Sequence, residues 1–102
     1  MQRLIIKVKE IKGYCPVYKL GDRIVLDEGY KLNLKDTDRV CMHSLSSILP
    51  YYNALFHGVD PRELGLSRDK NRAFIQCLDP CQHTGGGTVI FEIERGKNQG
   101  DK

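Results

Sequence analysis

Apolar residues recur with a period of two at both ends of this chain and with the helical period in its middle. That switch restricts the folds open to it. In "RLIIKVKEI", residues 3–11, Leu4, Ile6 and Val8 fall on one side and Lys7 and Lys9 on the other, the alternation of a half-buried strand. "RIVLD" at 23–27 repeats it with Ile24 and Leu26 inward, after a Gly21-Asp22 turn signal. "RAFIQCL" and "TVIFEIE" predict two more strands; in the last, Val89, Phe91 and Ile93 face in while Glu92 and Glu94 face water. The polar connection at 28–37 contains "YKLNL", whose alternation suits a short edge strand.

Residues 38–57 carry the other period, with Val40, Ser44, Leu45, Ile48, Tyr52, Leu55 and Phe56 on one stripe. Asp36, Thr37 and Asp38 are candidate N-caps for this helix, Gly58 stops it, and His57 suits a C-terminal cap. Pro50 lies inside the stripe, where an intact helix loses about 3 kcal/mol or more. A kink over 46–50 is therefore predicted, or a break into two short helices with Pro50 opening the second. "DPRELG" at 60–65 predicts one further short helix, with Asp60 as N-cap, Pro61 in the first position and Glu63 in a capping-box-like pair. The order is β-β-α-α-β-β, without repeated strand–helix–strand units. It predicts an α+β fold: a small, mainly antiparallel sheet with a Pro-kinked helix packed on one face. At 102 residues the expectation is one domain over 1–95 and a flexible polar tail over 96–102.

No stretch approaches the ~20 consecutive apolar residues of a membrane span, and the N-terminus has no uninterrupted apolar core of a signal peptide. A cytoplasmic protein without membrane association is expected, and its four cysteines would stay reduced there. The net charge of +3 is mild, and the basic residues are spread from Arg3 to Lys102 among acidic ones. Nucleic-acid binders concentrate them on one face, so that function is not expected.

The cysteines stand at 15, 41, 77 and 81. Zinc signatures pair close cysteines or histidines across a spacer; here only Cys77 and Cys81 are close, with three residues between them. Placement says more than spacing. Cys15 lies in the first loop, Cys41 in the first turn of the main helix, where the helix dipole favours a thiolate, and Cys77 at a strand end. These three can converge at one end of the sheet. Cys81 or His83 would then serve as a fourth ligand. His43 is two residues from Cys41, which on a helix separates the two by about 200°, so both are not expected on one ion. The bland alternative is that Cys41 and Cys77 are simply buried, as free cysteines often are.

"CLDPCQHTGGG", residues 77–87, also invites a phosphate-loop reading. Such loops precede a helix, whereas Gly85, Gly86 and Gly87 precede a strand and no lysine follows. A flexible turn, or a close approach of backbone to a partner or metal site, is the better reading. Cys41 or Cys77 paired with His83 would give a nucleophile–base dyad.

Taken together, "KGYCPVYKLGDRIVL", "CMHSLSSILPYYNALFHGVDPRELGL", "FIQCLDP" and "GGTVIFEIER" resemble a family of small uncharacterised proteins of archaea and anaerobic bacteria. The resemblance spans Lys7 to Arg95. It implies that Cys15, Cys41 and Cys77 are the family's recurring cysteines and that Cys81 is not among them, and its anaerobic setting suits an oxygen-sensitive site. The leading expectation is a metal-binding module, for zinc or an iron–sulfur centre, using Cys15, Cys41 and Cys77. The alternatives are a cofactor-free protein-interaction or scaffold module, as a homodimer, and a thiol-dependent enzyme.

Overall fold

In the computed structural model, which describes residues 2–97, five strands and three helices follow one another. They are β1 (Gln2–Gly13), β2 (Arg23–Asp27), β3 (Lys31–Leu32), α1 (Met42–Ile48), α2 (Tyr52–Phe56), β4 (Ala73–Gln76), α3 (Cys81–Thr84) and β5 (Gly87–Lys97). The strands form one sheet in the order β3-β2-β1-β5-β4, and every neighbouring pair is antiparallel. The fold is thus α+β with an antiparallel sheet.

The core forms where the alternation places it. Leu4, Ile6, Val8, Ile24, Ala73, Ile75, Val89, Phe91 and Ile93 cluster on one sheet face with Ile48 of α1 and Leu55 of α2. A bulge between Val8 and Glu10 adds one residue to β1. It moves the inward set from even to odd numbers, so Ile11, opposite Val89, still packs against the core. On the other face, Lys9 lies 3.6 Å from Glu92, and Arg72 lies 3.6 Å from Glu94.

The element order β-β-β-α-α-β-α-β corrects the expected β-β-α-α-β-β. "YKLNL" does add β3, but only two residues long. The stretch after β4 winds into the single turn of α3 instead of remaining a loop. "DPRELG" forms successive turns rather than a helix, because Arg62 takes the Asp60 carboxylate with both its backbone N–H and its guanidinium. That pairing holds Asp60 below the usual carboxylate range.

The expected Pro-kinked helix is two separate short helices. Leu49 still donates to the Leu45 carbonyl at 2.8 Å, but Pro50 has no N–H, and α2 begins after Tyr51 as its N-cap. Pro50 thus precedes the second helix instead of opening it. α1 starts at Met42 with Cys41 as N-cap, so Asp36, Thr37 and Asp38 do not cap it. They are used elsewhere. Because β3 is so short, the outer edge of β2 needs other partners. Thr37 Oγ1 accepts from Val25 N at 3.0 Å, and Asp38 Oδ2 accepts from Arg23 N at 2.8 Å.

His57 does close α2, its Nδ1 lying 3.0 Å from the Asn53 carbonyl. Of the expected tail, Gly96 and Lys97 belong to β5, and 98–102 lie outside the described residues. No helix among the described residues is long and apolar enough to cross a membrane.

Candidate functional site: a pocket with three cysteines

Three segments far apart in the chain meet at one end of the sheet. Cys15 and Pro16 come from the loop after β1, Cys41 and His43 from the start of α1, and Cys77 and Asp79 from the end of β4. Together with Tyr18 and the first residues of β5 they line a pocket of about 360 Å³ whose surface is mostly apolar. Cys15, Cys41 and Cys77 thus line one pocket.

Each segment is held by identifiable bonds. Asp22, itself buried, accepts the Lys19 N–H at 2.9 Å and faces Arg39 at 3.4 Å, which closes the loop that carries Cys15. The Cys15 sulfur accepts the Tyr18 N–H at 3.3 Å. The Cys77 sulfur accepts the Val89 N–H at 3.3 Å and faces the Gly87 carbonyl at 3.7 Å. Cys77 is buried in the core, whereas Cys15 and Cys41 are half-buried against it.

Cys41 is fixed through its backbone by a closed circuit. Its N–H donates to the Tyr18 hydroxyl at 2.8 Å, and its carbonyl accepts from Ser44 Oγ at 2.7 Å. Ser44 spends its proton on that carbonyl, so the 2.8 Å contact between the two hydroxyls has Tyr18 as donor. Tyr18 also meets Phe91 edge to face, with ring centroids 5.4 Å apart. Its burial raises the phenol above its ordinary pKa.

The glycine run has a packing explanation. Gly85 is the left-handed C-cap of α3, at φ +75°. A Cβ on Gly86 would collide with the Asp79 carboxylate, and one on Gly87 would sit 2.6–2.8 Å from the backbone of Tyr14 and Cys15. Bare backbone here lets the Cys15 loop lie directly on β5, above Cys77. The close approach at "GGG" is thus to the chain's own backbone.

Cys81 and His83 stand apart. Both sit on α3, where Cys81 N donates to Thr88 Oγ1 at 3.3 Å, and neither lines the pocket. Among the described residues, no three His, Cys, Asp or Glu side chains are grouped as ligands of one ion. Sequence reasoning missed Tyr18 and Ser44, whose roles come from contacts 26 residues apart in the chain. It also set His43 aside on helical geometry. No family model matches the chain, and neither does any curated protein or solved structure.

Proposed function

We propose that this protein is a small metal-binding module that takes a metal ion or an iron–sulfur centre through Cys15, Cys41 and Cys77. The observation that carries this reading is that three cysteines from three separate segments line one pocket. Cysteine sulfur is the ligand that selects zinc and iron–sulfur clusters, and backbone N–H groups already orient two of the three sulfurs. The resemblance noted above singles out the same three positions. Because the donors are not grouped around one point, binding draws the loops bearing Cys15 and Cys77 inward and so couples to local folding. A reducing, cytosolic compartment is the setting this reading requires.

The test is metal analysis with an absorption spectrum on protein purified without oxygen and without a histidine tag. About one equivalent of zinc, or iron with a visible charge-transfer band, is expected. Serine at Cys15, Cys41 or Cys77 should each remove most of it. A protein that stays colourless and metal-free after reconstitution with zinc, or with iron and sulfide, would sink the proposal.

A second reading has its own observation. Tyr30, Leu32 and Leu49 are exposed beside an apolar groove that also includes Leu26, Leu45 and Tyr52, the kind of surface that marks an interface. A cofactor-free homodimer would bury it. Light scattering that gives twice the chain mass, reduced to one by Leu32→Lys, with every Cys→Ser variant neutral, would favour this alternative.

A further inference from the structure

We infer that His43 completes the donor set, so that the pocket, whose donors are not grouped around one point in this structure, closes on Zn²⁺ as a three-cysteine, one-histidine site; this rests on the metal-binding reading above. Two histidines lie close to cysteines in the chain, and the structure separates them: His43 lines the pocket with Cys15, Cys41 and Cys77, while His83 and Cys81 do not. The helical-spacing objection to pairing Cys41 with His43 does not apply. Cys41 is the N-cap, with extended backbone at φ −97° and ψ 132°, so its side chain is outside the helical progression that would turn it ~200° from His43.

The competing donors are less suited. Asp79 also lines the pocket, but its carboxylate is taken by the Thr84 hydroxyl and packed against Gly86. The His43 ring, exposed at the pocket rim, makes no hydrogen bond among the described residues. Charge favours the same choice. Three thiolates and a neutral imidazole leave a Zn²⁺ site with one net negative charge, and four thiolates would leave two. In a mostly apolar pocket the smaller charge costs less to desolvate. Three cysteines and one histidine in a tetrahedron form a zinc ligand set, whereas iron–sulfur clusters are ordinarily held by four cysteines.

Cobalt(II), added anaerobically as a spectroscopic substitute for zinc, tests this on the full chain. Wild-type protein should develop sulfur-to-cobalt charge transfer in the near ultraviolet and tetrahedral d–d bands in the visible, both bleached by zinc. His43→Gln should keep most of the charge transfer, shift the d–d bands, and weaken binding by tenfold or more. His43→Cys should raise the charge transfer per cobalt by about one third, as three thiolates become four. The double variant Cys81→Ser, His83→Gln should match wild type. Unchanged d–d bands and affinity in His43→Gln, or loss of binding in the double variant, would overturn the His43 assignment and leave the three-cysteine reading standing. If wild type shows no charge-transfer band, the metal-binding reading itself fails, and this inference fails with it.

Discussion

Tyr18 is the residue on which the geometry of the thiol pocket turns. Its hydroxyl both accepts from Cys41 and donates to Ser44, and its ring is wedged against Phe91. Tyr18→Phe keeps the ring but leaves the Cys41 N–H without its partner, and a lost buried hydrogen bond of this kind costs about 1–3 kcal/mol. Urea denaturation should show that loss, together with weaker metal uptake. The phenol also predicts a pH dependence. Its folded pKa is raised, so the neutral form is the one folding favours. That contribution is complete below the ordinary phenol value of about 10 and is lost as pH rises through the higher folded value. Wild type should lose stability on that alkaline limb, and Tyr18→Phe should lose less. Equal alkaline profiles would argue against the burial of this hydroxyl. Gly87 makes the second residue-scale prediction. Its absent Cβ is the space in which Tyr14 and Cys15 lie, so Gly87→Ala should cost about 1–3 kcal/mol as overpacking does and displace Cys15. Thermal unfolding compared with metal content will show whether both effects appear.

At the scale of elements, the helices are too short to be stable alone and are held by what they bury. α1 has seven residues and no side-chain hydrogen bond at its N-cap, well below the ~12–15 residues at which an isolated helix becomes marginal. Ile48 is its hydrophobic anchor, and Met42 at its other end is exposed. Ile48→Ala should therefore cost about 2–5 kcal/mol, while Met42→Ala should stay within about 0.5 kcal/mol. Similar denaturation midpoints for the two variants would contradict the packing described here. The acceptors ahead of α1 illustrate competition between elements. Locally, Asp36, Thr37 and Asp38 are good helix caps; in the fold, the unpaired edge of β2 claims Thr37 and Asp38. A strand edge with several free donors outweighs one helix end, which can begin on an uncapped cysteine.

Across the whole molecule, the central pair of the sheet joins the two ends of the described chain. β1 and β5 pair from Gln2 opposite Lys97 to Gly13 opposite Gly87. Every other element packs on that pair or on its neighbours. Such non-local pairing must close a long loop before it stabilises anything. Amide hydrogen exchange should accordingly be slowest at Ile6 and Phe91, approaching the global unfolding limit. It should be faster by orders of magnitude in the 33–38 segment and the Cys15 loop. Protection concentrated in α1 and α2 instead would mean the sheet is not the last structure to open. On the opposite sheet face the Lys9–Glu92 and Arg72–Glu94 contacts have partly exposed partners, and pairs of this kind are worth about 0–1 kcal/mol.

The inward and outward faces of β1, β2 and β5 were legible in the sequence because alternation is a property of neighbouring residues and one sheet face meets the core. The interruption at Pro50 was legible for the same reason: a missing N–H acts locally, whatever the rest of the chain does. The glycines before β5 could be read as a close approach, though not what they approach. Only the tertiary structure decided that Asp38 serves a strand, that Cys41 sits outside its helix, and that Cys15, Cys41 and Cys77 share a pocket from which Cys81 and His83 are absent. Each of these depends on which distant groups compete for one donor or one volume, and that competition exists only once β1 and β5 have brought the ends of the chain together.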